Sequence, residues 1–489
     1  MKKIVSLLTI LLCAGAWAQT PLQQYVDRIA EDPVLRGALL GVMVRDGNGA
    51  VLAERGAREK LVPASNLKLF TTGAALHELG PEYRFRTGIG YTGAIEDGIL
   101  HGDVYIVGGG DPTLGMQDSL SLRNDALFWR WKSQLKAAGI RSIDGRIIGD
   151  GRRFEGHLEN SSWTYDDTGT YYGTGCNALS FYANAIDYSV SASAVEGTPV
   201  VVRQVYPETP WIHFQNYTAT APAGTGNSLY LFTTDLAPYA EMRGTFAVDR
   251  KAKTEHFSNK YGALTCAYYF WKNLVATGWA VSGGYADIDR SGQIRLGQDF
   301  STAGPAGTPV VVGYTESAPL RAIARVTNVR SDNFYAESLY RTLGEENSRW
   351  AVYDSCRVAV YKVLEEIGLR PEDGLQMEDG SGLSRQNYLS PAMMADYLAA
   401  MEKSPAFEAF LASFPTPGEG TLRGVLKQAP DPSRYRLKSG SMNGVLCYSG
   451  YILVPGGRPV IVSIMVNNCT ARTSEIRSLL EGILLKAAL

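Results

Sequence analysis

Metal and dithiol chemistry find little to stand on in this sequence. Its six cysteines include no Cys-x-x-Cys pair, and its five histidines, His77, His101, His157, His213 and His256, form no His-x-x-x-His pair. Those are the spacings that hold zinc or support dithiol exchange. No metal is expected, and no cofactor. The run Gly108-Gly109-Gly110-Asp111 carries Thr113 where a dinucleotide loop has its third glycine, and no Gly-Lys-Ser/Thr follows, so it reads as a tight turn. An excess of either charge is missing too. With 47 Lys and Arg against 49 Asp and Glu, neither nucleic acid nor an anionic membrane surface is expected as a partner. Beyond the N-terminus no stretch approaches the roughly 20 apolar residues of a membrane span.

What is present begins with an export signal. Met1-Lys2-Lys3, an apolar run from Ile4 to Ala16, and Ala16-Trp17-Ala18 predict a signal peptide over 1–18, cleaved before Gln19. Cys13 invites a lipoprotein reading, but Leu12 stands where such signals want a small residue. Cleavage removes two lysines and takes the formal charge from −2 to −4. Five cysteines remain, an odd count that leaves at least one unpaired within a monomer. They read as small buried residues.

Three short motifs then fall in a fixed order: Ser65-Asn66-Leu67-Lys68, Ser331-Asp332-Asn333 and Lys438-Ser439-Gly440. In the first, a hydroxyl and an amine stand three residues apart, on one face of a helix. A second Ser-x-x-Lys, Ser133 to Lys136, lies inside an ordinary amphipathic run and is expected on a solvated helix face. Context separates the two. Pro63-Ala64 precedes Ser65, apolar residues follow, and Gly80-Pro81 ends the run, which places Ser65 at a helix mouth where free N–H groups favour developing negative charge. Ser331-Asp332-Asn333 leads into a helical pattern, so helix capping competes with catalysis as its explanation. Lys438-Ser439-Gly440-Ser441 precedes two apolar stretches, Val445 to Val454 and Pro459 to Val466, then a helix from Thr470, which predicts an edge strand, a hairpin and a closing helix.

On these motifs the chain resembles the class C low-molecular-mass penicillin-binding proteins, the serine peptidase S13 family of D-alanyl-D-alanine carboxypeptidases and endopeptidases. Gly108 to Leu114, Tyr172-Gly173, Asp379 to Arg385 and Gly420-Thr421-Leu422 also match what that family shows. Ser439 stands where threonine is commoner there, with the hydroxyl kept. The resemblance implies an α/β (α+β) fold: a penicillin-binding, serine β-lactamase-like catalytic domain, an antiparallel sheet flanked by helices, with a large two-domain insertion. Because 266 positions separate Ser65 from Ser331 and 107 separate Ser331 from Lys438, most of the first gap must leave the catalytic domain and return. The expected division is a discontinuous catalytic domain over 19–84 and 309–489, with 85–308 inserted as two smaller α/β or β-rich domains. Asp103 to Val107, Leu120 to Ala138 and Arg146 to Gly149 read as one α/β unit. The stretches Thr218 to Asn227 and Thr302 to Thr308 read as loops or joins.

The chemistry follows from the groups. Serine needs a base, and Lys68 serves only when neutral, which burial and the nearby Lys438 cation favour. Asn333 is expected to orient Lys68 and the substrate amide, Ser331 to relay a proton to the departing amine, and Lys438 with Ser439 to hold a terminal carboxylate. The resemblance implies an oxyanion held by the N–H groups of Ser65 and Ser441, beside Gly440 on the strand. It also implies that Asp167 binds the free amine of a diamino acid in the stem peptide. The expected partners are peptidoglycan stem peptides, with β-lactams as covalent inhibitors and the periplasm as location. A β-lactamase or esterase on the same scaffold, and a non-catalytic cell-wall binding or sensing protein, stay open at this level.

Overall fold

The computed structural model describes residues 19–348 and 351–489, so the expected signal peptide, with Cys13, lies outside the described residues. Five antiparallel strands form the central sheet in the order Val51–Arg55, Leu39–Arg45, Val460–Asn467, Val445–Ile452, Tyr435–Met442. The two ends of the chain thus build one sheet. Val445–Ile452 and Val460–Asn467 are buried along their whole length, and they are apolar without alternation because helices cover both faces. On one face Tyr448, Val462 and Ile464 pack with Val26 of helix Pro21–Ala30 and Leu480 of helix Thr473–Ala487. On the other, Cys447, Tyr451 and Met465 meet the main helical body.

Helix Lys68–Leu79 is the axis of that body. Leu69, Phe70 and Leu76 have no exposed surface, and each stabilises the fold by about 1.5–3 kcal/mol. Helices Leu320–Arg330, Asn333–Ser348, Tyr353–Glu366 and Phe407–Ser413 surround it. A helix buried along its length from Lys68 to Leu76 is a central one. Its first residue, Lys68, is consequently taken out of water with the rest.

Between Arg86 and Glu316 the chain builds a second body. Its seven-stranded sheet runs Thr302–Pro305, Gln293–Leu296, Tyr285–Ile288, Ile147–Asp150, Val104–Val107, Arg86–Tyr91, Val310–Glu316. Val104–Val107 and Ile147–Asp150 are parallel and joined through helix Asn124–Ala137, the α/β unit read from the sequence. The strand Val310–Glu316, just past the expected boundary at 309, pairs with Arg86–Tyr91, because outgoing and returning chain lie side by side. One expectation is corrected here. The stretches read as loops are partly strand: Thr218–Ala221 completes strand His213–Ala221, and Thr302–Pro305 is a sheet edge. An edge tolerates Gly304 and Pro305 because one of its sides makes no ladder bonds.

Nested inside are two three-stranded sheets, Val201–Tyr206, Ala185–Ser191, Lys253–Ser258 and His213–Ala221, Tyr239–Ala247, Tyr230–Thr233. Tyr188, Val190, Leu231, Met242 and Phe257 form their shared core. The run 108–111, expected as a tight turn, is instead an irregular stretch that leads into a turn at 112–115: a Cβ on Gly109 would stand 2.0 Å from the Arg86 carbonyl oxygen, and Asp111 accepts from both the N–H and the hydroxyl of Thr113. The five described cysteines are buried free thiols. Among the described residues no cluster of His, Cys, Asp or Glu could hold a metal, and no helix is long and apolar enough to cross a membrane.

Candidate active site

Ser65 lies on a single 3₁₀ turn, Ala64–Leu67, that runs directly into helix Lys68–Leu79. Ala64 adopts φ of +46°, a left-handed conformation that costs an alanine free energy and persists because the surroundings hold it. Asn66 bolts the turn to the central sheet, its Nδ2 donating to Ser449 Oγ at 2.7 Å. The edge strand comes so close that a Cβ on Gly440 would meet the Pro63 carbonyl oxygen at 2.6 Å. Lys438, Ser439, Gly440 and Ser441 therefore form one wall beside Ser65, with Ser441 exposed at the strand's end.

Lys68 Nζ donates to Ser65 Oγ at 3.0 Å, to Asn333 Oδ1 at 2.6 Å and to the Ser381 carbonyl oxygen at 2.6 Å. Burial lowers its pKa to about 8 against the opposing pull of Asp379, Glu337 and Asp332. Lys438 is equally buried, and its pKa is held well below the ordinary lysine value by burial first and the Lys68 charge second. Its Nζ donates to Ser331 Oγ at 2.8 Å and to the Ser439 carbonyl oxygen at 2.7 Å. Ser331, the left-handed cap of helix Leu320–Arg330 at φ +57°, accepts that bond and keeps its own O–H free to donate. Asp332 caps the next helix through Tyr335 N–H. Capping and site geometry thus coexist in one motif.

Several participants went unassigned in the sequence. Glu337, one turn beyond Asn333, accepts the N–H groups of Gly380 and Ser381, and burial with the nearby Asp379 pushes its pKa up to about 8. Asp379 accepts from Gly382, Ser384, Asn387 and Trp163. Together they fix the loop whose Ser381 carbonyl binds Lys68. Thr421 Oγ1 accepts from Ser439 Oγ at 2.7 Å. The Tyr172 carbonyl accepts from Asn333 Nδ2 at 3.0 Å, which fixes the amide's orientation and points Oδ1 at Lys68. The i, i+4 spacing of Asn333 and Glu337 was the one available signal for a shared face. Carbonyl partners leave none.

Asp167 sits in the loop that ends at Tyr172 and Gly173. Thr164 Oγ1 donates to it at 2.7 Å, and its backbone carbonyl accepts from Thr170. Buried Lys260 holds this loop from the inserted side, pairing with Glu159 at 2.6 Å and donating to the carbonyls of Gly173 and Thr174 at 2.9 and 3.3 Å. Ser133 is remote from this constellation. Its hydroxyl donates to the Trp129 carbonyl of its own helix.

The fold is that of a penicillin-binding protein. The chain belongs to the D-Ala-D-Ala carboxypeptidase 3 (S13) family, whose profile matches residues 22–486. It is 30% identical over 468 residues to the D-alanyl-D-alanine carboxypeptidase of Actinomadura sp., covering 92% of this chain and 81% of that one. It is 25% identical over 455 residues to the D-alanyl-D-alanine carboxypeptidase DacB of Haemophilus influenzae, covering 90% and 88%. The crystal structure of penicillin binding protein 4 (dacB) from Haemophilus influenzae superposes with a TM-score of 0.80 at 21% identity, covering 96% of this chain and 99% of that one.

Proposed function

We propose that the protein is a periplasmic D-Ala-D-Ala carboxypeptidase and D,D-endopeptidase of peptidoglycan stem peptides, working through an acyl-enzyme on Ser65. The observation that carries this reading is a desolvated amine 3.0 Å from a serine oxygen at a helix mouth. Neutral Lys68 takes the Ser65 proton as Oγ attacks the carbonyl of the penultimate D-Ala. N–H groups of Ser65 and Ser441 receive the developing oxyanion. As the C–N bond breaks, Ser331 hands its proton to the departing amine and recovers one from protonated Lys68, which returns Lys68 to its neutral form and leaves Lys438 charged. The hydroxyls of Ser439 and Thr421, backed by the Lys438 charge, hold the terminal carboxylate. Water then hydrolyses the ester. A β-lactam follows the same path to an acyl-enzyme that deacylates slowly. The N-terminal export pattern supports the periplasmic location.

Incubating the mature protein with purified pentapeptide and cross-linked muropeptides, and reading masses, tests this. The expected products are tetrapeptides short of one alanine and resolved cross-links, with neither formed by Ser65→Ala. Unchanged muropeptides, or rapid catalytic hydrolysis of penicillin, would contradict it.

A further inference from the structure

The β-rich part of the inserted region carries an exposed aromatic face outside the site described above. In the sheet His213–Ala221, Tyr239–Ala247, Tyr230–Thr233, the register aligns Tyr217 with Arg243 and Tyr230, and Gln215 with Glu241 and Phe232. Alternation puts Met242 and Leu231 in the core and leaves these rows outside. Tyr217, Tyr230 and Tyr239 are 59%, 43% and 40% exposed. Scattered exposed aromatics need no explanation, but a contiguous set on one face marks a binding surface.

The polar groups among these rings are ordered. Arg243 pairs with Glu241 and lies over the Tyr217 ring at 5.6 Å, and the Tyr239 hydroxyl donates to Glu241 at 3.1 Å. The face is thus charge-balanced, which disfavours a polyanion or an acidic lipid surface. Rigid rings with electron-rich faces attract the polarised C–H groups of a pyranose, while Arg, Glu and Gln between them bond its hydroxyl and amide groups. Tyr217 and Tyr230 stand two strands apart, about 10 Å, on the order of two linked sugar rings.

The face is also continuous with the catalytic loop. Tyr165, two residues before Asp167, stacks on Phe232 at 4.8 Å, and Phe232 meets Tyr230 edge-on at 5.2 Å. Asp167 shares its loop with Tyr172, whose carbonyl accepts from Asn333 Nδ2. We infer that this face binds the amino-sugar glycan strand to which the stem peptide is attached, aligning the stem with Ser65. The inference rests on the peptidoglycan reading above, since a glycan must lie beside the scissile peptide.

The test uses full-length mature protein with Ser65→Ala as background, so that binding needs no turnover. The probe is peptide-free glycan, strands released from sacculi by an amidase and coupled to agarose beads so that they sediment. Co-sedimentation of the Tyr217→Ala/Tyr230→Ala double variant is expected to weaken at least tenfold, with Tyr217→Phe/Tyr230→Phe retaining binding. In a Ser65 background the alanine double variant is expected to lose activity on polymeric peptidoglycan while hydrolysing free pentapeptide and taking labelled penicillin as before. Equal sedimentation of all variants would overturn the inference, as would a wild-type dimer that the alanine variant dissolves. Failure of free-peptide hydrolysis in the wild type would instead strike the catalytic reading, so the two are separable.

Discussion

At Lys68 two effects oppose each other. Three carboxylates, Asp379, Glu337 and Asp332, favour its charge, and burial disfavours it, leaving a pKa of about 8. The sign sets a pH profile. Below 8 the amine is mostly protonated and unable to take the Ser65 proton, so only about one-tenth of the enzyme carries a competent base at pH 7. Acylation by penicillin is expected to rise about tenfold from pH 6 to pH 7, bend near 8 and level above it. Stopped-flow rates from pH 6 to 9 measure this, and a flat profile would contradict Lys68 as the base. The lysine was legible because its partner serine lies three residues away on one helix. Glu337 and the Ser381 carbonyl were not, since the first is a carboxylate inside an apolar helix pattern and the second a backbone atom brought in by folding.

Among elements, the decisive contact is strand Tyr435–Met442 against the turn Ala64–Leu67. Gly440 has no side chain there because a Cβ would stand 2.6 Å from the Pro63 oxygen and 2.9 Å from the Asn66 nitrogen, both backbone. Gly440→Ala is expected to push the strand off the turn, slowing penicillin acylation ~10- to 100-fold through misplacement while costing about 1–3 kcal/mol of stability. Acylation kinetics beside thermal unfolding separate the two, and a wild-type acylation rate would contradict the close approach. The sequence showed this strand, its hairpin and the final helix through their periodicity. It misjudged Thr302–Pro305, since a short edge rich in glycine and proline leaves no periodic signal.

For the molecule as a whole, the catalytic motifs lie in one body and Asp167 in another, joined where Tyr172 meets Asn333. If Asp167 receives a stem ammonium, Asp167→Asn is expected to lower kcat/KM for diamino-acid stems by about 2 kcal/mol, a factor of about 30, and to affect peptides lacking that amine far less. Equal losses for both would make Asp167 structural. The measurement that tests the central claim most directly is the site of covalent labelling. Mature protein treated with labelled penicillin and mapped by peptide mass is predicted to carry one adduct, on Ser65, and Ser65→Ala none. Label on Ser133, or undiminished labelling of Ser65→Ala, would contradict the account.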